Sequence, residues 1–227
     1  MTKYVHDPKI ASVQILGSSE LYPIHRVFCV GRNYADHARE MGHDHREPPF
    51  FFMKPSHAVN HSQKHPYPDQ TSNYHFEIEL VIAIGKGGAR ITTEQAIDHV
   101  YGYAVGIDFT RRDLQQASKD KGRPWETGKS FDLSAPISPI KCLPKDFSIK
   151  NQRITLSVNN QVKQDSTIGA MIWSVEEIIA HLSIYFELQP GDLIFSGTPA
   201  GVGAVVTGDQ LSGSVSGVGQ IKIDITE

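Results

Sequence analysis

Apolar residues fall in short runs broken by glycine, proline and polar pairs, a rhythm that predicts strands more often than helices. Residues 27–30, 50–53, 80–84 and 101–107 read as strands, the third stopping at Gly85. Residues 154–158 and 161–164, joined by Asn159-Asn160, read as a hairpin. Residues 193–196 follow a Pro-Gly-Asp turn, and the alternating run 221–225 closes the sequence. Helices are fewer. Residues 35–41, 93–99 and 110–118 are short candidates, the last with Thr110 as its cap. The clearest is 174–186, where Ser174 and Glu177 have capping-box spacing and Ile178, Ile179, Leu182 and Phe186 share one face. Residues 43–49 and 60–73 read as loops, the second long enough for a functional role. Strands and helices do not alternate regularly, so the pattern alone predicts a mixed, mainly β domain.

At 227 residues the chain suits one domain with a core of its own, or such a domain plus a short arm. With 39% hydrophobic and 21% charged residues it has ordinary globular composition, and a net charge of −3 argues against nucleic acid or anionic lipid as a partner. No apolar run reaches the roughly 20 residues of a membrane span. The N-terminal segment lacks the apolar stretch of a signal peptide. Cys29 and Cys142 lie far apart, with no metal-cluster spacing. The expected location is the cytoplasm, and Cys29, inside an apolar run, is expected to pack as a small hydrophobe.

Candidate chemistry begins at His75-Phe76-Glu77-Ile78-Glu79-Leu80. On a strand, Glu77 and Glu79 point to the same face, about 7 Å apart along the backbone. Close carboxylates repel unless a cation lies between them, so the pair is either a metal site or a solvated strand edge. Asp108 follows the strand expected over 101–107, before a helix start, and is either a third acid of such a site or a helix cap. Three acids without cysteine or paired histidine suit a hard ion: Mg²⁺, Mn²⁺ or Ca²⁺ rather than Zn²⁺. His37 and Glu40, three apart on a candidate helix, form either a water-activating dyad or an ordinary surface pair. Arg112 and Gln115 share a helical face and either hold a substrate oxygen or face solvent. Lys129 stands between glycine and an aromatic segment, where a lysine is either buried against an oxyanion or solvated. The segment 196–203 is glycine-rich but lacks the Lys-Ser/Thr of a phosphate loop, which leaves an anion-binding turn or a structural one.

Read in order, CVGRNYADHAREMG, PPFFFMKP, HFEIELVIAIG, GYAVGIDFTRRDLQ, GRPWETGKSFD, MIWSVEEIIAHLS and PGDLIFSGTPAGVG resemble the fumarylacetoacetate hydrolase family, in its small acylpyruvase branch. The resemblance runs from about residue 27 to the C-terminus. It implies an N-terminal arm over residues 1–24 and one catalytic domain over 25–227. The implied fold is α+β and mainly β, with layered mixed sheets rolled around the active site and few helices, usually as a homodimer. The implied activity is cleavage of a small keto-acid substrate, an acylpyruvate, with decarboxylation or tautomerisation of oxaloacetate as alternatives in the same site. The implied cofactor is Mg²⁺ or Mn²⁺ held by Glu77, Glu79 and Asp108. His37 and Glu40 match the base dyad, and Lys129 the lysine near the enolate oxygen. Arg32, Arg112, Gln115 and Thr198 match substrate-contacting positions. Phe76 departs from the second of two histidines that many members carry before the first metal-binding glutamate.

Overall fold

A computed structural model of the chain describes residues 5–6, 9–34 and 47–227. The candidate helix at 35–41 lies outside these residues. Seventeen strands and four α-helices occur among the described residues. The chain begins with β1 (Ser12–Gln14), β2 (Leu21–Pro23), β3 (Val27–Gly31), β4 (Phe50–Lys54), β5 (Val59–Asn60), β6 (Lys64–Pro66), β7 (Tyr74–Phe76) and β8 (Ile78–Ile84). Helix α1 (Thr93–Ala96) leads into β9 (Val100–Ile107), β10 (Thr110–Arg111), α2 (Arg112–Asp120), α3 (Glu126–Lys129) and β11 (Ala135–Pro136). The last third holds β12 (Arg153–Val158), β13 (Gln161–Thr167), α4 (Val175–Tyr185), β14 (Leu193–Phe195), β15 (Gly203–Val205), β16 (Gln210–Val215) and β17 (Gly219–Thr226).

Two five-stranded sheets dominate, ordered β4-β3-β14-β8-β9 and β13-β12-β16-β17-β6. The first is mixed: β14 runs parallel to β3 and antiparallel to β8. Every residue of β8 is buried, whereas β12 alternates between buried and partly exposed. The difference follows from what covers each face. Leu80, Ile82 and Ile84 enter a large core with Ile154, Leu156 and the apolar face of α4. Val81 and Ala83 point the opposite way, into a smaller core closed by Val13, Ile15 and Tyr22 from the β1–β2 hairpin region. Cys29 packs there as a small hydrophobe with no exposed surface.

Helix α4 forms as its sequence predicts. Ser174 Oγ accepts from Glu177 N at 3.3 Å and Glu177 Oε2 accepts from Ser174 N at 2.8 Å, completing the capping box. Burial of Ile178, Ile179 and Leu182 stabilises the helix against the sheets by roughly 1.5–3 kcal/mol per side chain. In the β12–β13 turn, Asn159 and Asn160 take φ of 50° and 64°, the left-handed conformation that two-residue hairpin turns demand.

Two expectations need correction. Thr110 is not a helix cap: it pairs with His75 in β10, and α2 starts two residues later with Arg111 in the cap position and no side-chain cap bond. The pull of a neighbouring strand outweighs the local capping preference. Segment 60–73 is not wholly loop either, because β6 within it pairs parallel to β17 and buries His65.

Candidate active site

The site forms at the end of the first sheet where β3, β9 and β14 finish and β8 begins. Glu79 pairs with Gly106 across β8 and β9. On its other side Gly197 N donates to Glu79 Oε2 at 2.8 Å. Glycine on both flanks leaves room for the carboxylate. A Cβ at Gly106 would come within 2.5 Å of the Phe195 ring and 2.7 Å of Val81.

Glu77 occupies the single residue between β7 and β8, where the chain passes from a three-stranded sheet, β10-β7-β15, into the five-stranded one. Its carbonyl accepts from Asp108 N at 2.8 Å, which fixes these two residues backbone to backbone. Glu77, Glu79 and Asp108 are all buried, and each brings a carboxylate oxygen within 4.8 Å of the others. The solvated-edge and helix-cap alternatives are therefore excluded for these acids. Burial, then the charges of Asp108 and Glu77, push the Glu79 carboxyl well above its ordinary range.

Three cations answer the acids. Lys129 Nζ lies 2.7 Å from both Glu77 Oε2 and Asp108 Oδ2. Burial opposes its charge, but Asp108 and Glu77 prevail and hold its pKa above the ordinary lysine value. Lys129 is thus ion-paired to both acids at once. Arg112 donates to Glu77 Oε1 and, at 2.8 Å, to Gln115 Oε1. Lys54, 2% exposed, is a residue that sequence reasoning missed. Its ammonium lies 2.9 Å from Asp108 Oδ1, donates to Ser134 Oγ at 2.9 Å and to Phe109 O at 3.3 Å, and also bonds the Lys129 carbonyl. The signal was a lysine ending the aromatic run FFFMK, where an apolar strand carries its last residue inward.

One open cavity gathers Arg32, Glu77, Glu79, Asp108, Arg112, Gln115, Lys129 and Thr198. His37 and Glu40 lie outside the described residues. Arg32 is held at φ 58°, a conformation costly for a non-glycine residue. The next residue anchors it: Asn33 Nδ2 donates to Ser196 O at 2.8 Å and to Trp173 O at 3.0 Å, while its Oδ1 accepts from Trp173 N at 2.8 Å. Thr198 Oγ1 accepts from Gln164 Nε2 at 2.8 Å, and Gln164 Oε1 accepts from Ile78 N at 3.0 Å. Neither Asn33 nor Gln164 was legible in advance, since each acts by bridging segments distant in sequence. Behind the acids, His65, Tyr74 and Phe109 stack, with His65 Nε2 2.6 Å from Tyr74 Oη and 4.4 Å between the His65 and Phe109 rings. Burial lowers the His65 pKa to about 4.

The donor set suits a divalent cation. Three buried carboxylates converge, and Asp108 Oδ1 has no hydrogen-bond donor, its contact with Lys54 being an ion pair of poor bonding angle. Oxygen-only donors of this kind favour Mg²⁺ or Mn²⁺.

A mixed-sheet domain with a buried three-carboxylate centre defines the class: a fold built to hold a hard metal ion beside fixed cations. Residues 26–226 match the fumarylacetoacetate hydrolase C-terminal family, and the chain belongs to that family. It is 49% identical over 180 residues to the fumarylpyruvate hydrolase of Ralstonia sp., covering 79% of this chain and 93% of that protein. The crystal structure of fumarylpyruvate hydrolase from Pseudomonas aeruginosa in complex with Mn²⁺ and pyruvate matches with a TM-score of 0.96 and 50% identity, over 99% of both chains. The mitochondrial oxaloacetate tautomerase of Bos taurus is 38% identical over 200 residues, 88% of this chain and 90% of that protein.

Proposed function

We propose that the protein is a metal-dependent hydrolase that cleaves the carbon–carbon bond of an acylpyruvate, with fumarylpyruvate, giving fumarate and pyruvate, as its substrate. The observation that carries this reading is the convergence of three buried carboxylates beside Lys129 and Arg112 in one open cavity. The names and extent of the similar proteins support the substrate.

Each residue has a stated task. Glu77, Glu79 and Asp108 would hold the ion. When bound, a divalent ion supplies positive charge to the oxygens of a 2-keto acid. Arg112, Gln115, Thr198 and Arg32 fix the keto acid by donating to its carboxylate and carbonyl oxygens. Their own partners, Glu77 and Gln164 among them, keep these side chains in place before substrate arrives. His37, oriented by Glu40, takes a proton from water, and the water oxygen attacks the carbonyl carbon of the acyl half. The bond to the methylene carbon breaks, its electron pair passes to pyruvate as an enolate, and a proton on that carbon completes the product. Lys129, a fixed ammonium, stabilises the negative oxygen that develops, which is where fixed charges contribute most.

The alternative is tautomerisation or decarboxylation of oxaloacetate, favoured by the similarity to an oxaloacetate tautomerase. Both need enolate stabilisation but no attacking water. A panel of fumarylpyruvate, maleylpyruvate, acetylpyruvate and oxaloacetate with added Mg²⁺ or Mn²⁺ separates them. Release of a second carboxylic acid supports hydrolysis, and turnover of oxaloacetate alone rejects it. We also propose that the protein acts in the cytoplasm as a homodimer. Among the described residues no helix is long and apolar enough to cross a membrane, and light scattering on the purified protein tests the dimer.

A further inference from the structure

Away from the carboxylates, the cavity wall is aromatic and carries two further cations. Phe50, Phe52 and Trp125 line it, with the Phe50 and Trp125 rings edge to face at 5.4 Å. Arg32 lies over Phe50 at 5.5 Å and Lys119 over Trp125 at 5.0 Å. Among the described residues, neither cation has a carboxylate within ion-pair distance. Lys119 is half-buried, and burial together with the neighbouring Arg112, Arg32 and Lys129 lowers its pKa to about 8. Lys119 thus feels three cations more strongly than the one acid among the described residues that reaches it, Glu77.

Its place on the helix gives it a ruler. Arg112, Gln115 and Lys119 stand at i, i+3 and i+7 of α2 and line the same cavity. A rise of 1.5 Å per residue puts Lys119 about 10 Å along the axis from Arg112. An acylpyruvate whose acyl half ends in its own carboxylate spans six carbon–carbon bonds of about 1.5 Å, so its two carboxylates lie roughly 7–8 Å apart when extended. One end would reach Arg112 and the acids. The other would reach Lys119, its ammonium carried on a flexible stem. A flat conjugated chain between them would meet the rings of Phe50 and Trp125.

We propose that Lys119 is the specificity-determining residue that binds the distal carboxylate of the acyl half, so that the site selects dicarboxylic acylpyruvates with a planar linker over monocarboxylic ones. This assignment rests on the acylpyruvate reading above. The test is the ratio of kcat/KM for fumarylpyruvate to that for acetylpyruvate in the Mn²⁺-loaded enzyme. Lys119→Gln lowers that ratio by about 10- to 100-fold, as loss of a charge-assisted hydrogen bond predicts, and Lys119→Arg restores most of it. Competitive inhibition by fumarate weakens by a similar factor, while inhibition by oxalate, which has no distal arm, changes much less. A proportionate loss on both substrates, leaving the ratio within threefold of wild type, overturns the assignment of Lys119 alone. Wild-type enzyme that hydrolyses neither substrate overturns the acylpyruvate reading, and this assignment with it.

Discussion

Lys54→Met removes the only charge from a side chain that touches neither solvent nor, in the mechanism above, substrate. The Lys54 ammonium sits 2.9 Å from Asp108 Oδ1. At an effective dielectric near 20 that separation gives a gross attraction of roughly 6 kcal/mol. The variant recovers most of the cost of burying the ammonium. Methionine has a similar length, so the packing loss is small. What persists is a set of acceptors with one donor fewer, the carbonyls of Phe109 and Lys129 and Ser134 Oγ, and an Asp108 Oδ1 that has lost its ion-pair partner. Asp108 keeps Lys129 at 2.7 Å on its other oxygen, which places the loss at the lower end of the range for broken buried pairs, about 3 kcal/mol. With a urea m-value near 2 kcal/mol/M, the unfolding midpoint falls by about 1.5 M. Urea titration followed by circular dichroism, in chelator and without added metal, measures it. A midpoint shift below about 0.3 M would show that Lys54 is not a structural counter-ion to Asp108.

Other outcomes follow from the same geometry. Glu79→Gln weakens Mn²⁺ binding by at least about 100-fold by calorimetry, the charge of a direct ligand being lost; near-normal binding and turnover in excess metal would remove the metal site. His37→Ala abolishes hydrolysis but retains oxalate binding, and unimpaired hydrolysis would reject the base assignment. Gly106→Ala lowers stability by about 1–3 kcal/mol and activity with it, because the new Cβ meets Phe195 and Val81 next to Glu79; an unchanged melting curve contradicts the crowding. His65 has a folded pKa of about 4 against an unfolded value near 6.5, so the unfolded chain takes up its proton first as pH falls. Its contribution is complete above pH 6.5, declines on acidification, and amounts to about 3 kcal/mol lost by pH 4; His65→Gln therefore has a flatter stability profile from pH 6.5 to 4, and parallel profiles would refute the buried neutral imidazole.

Legibility in the sequence tracked the range of the cause. β8, β9, β17 and α4 were readable because an apolar run or a capping box is a local statement. β16 escaped because its sequence, QLSGSV, is polar on its own and becomes a strand only between β12 and β17. Thr110 was misread for the same reason, its conformation being set by His75 across a strand pair. The acids announced themselves as an Glu-x-Glu pair and a strand-terminal Asp, and the family resemblance joined them. Lys54, Asn33 and Gln164 did not, because a single lysine or amide has meaning only through the distant groups it bridges.

The crossing of the chain at Glu77 has a mechanical consequence. One proposed ligand, Glu77, is mounted on the seam between two separately laced sheets, while Glu79 belongs to one sheet alone. Shear between the sheets would change the bite of the donor set without touching any donor. Substitutions in β15, which lines no part of the cavity, should therefore register as changes in ion affinity, which makes metal titration a strain gauge for that seam.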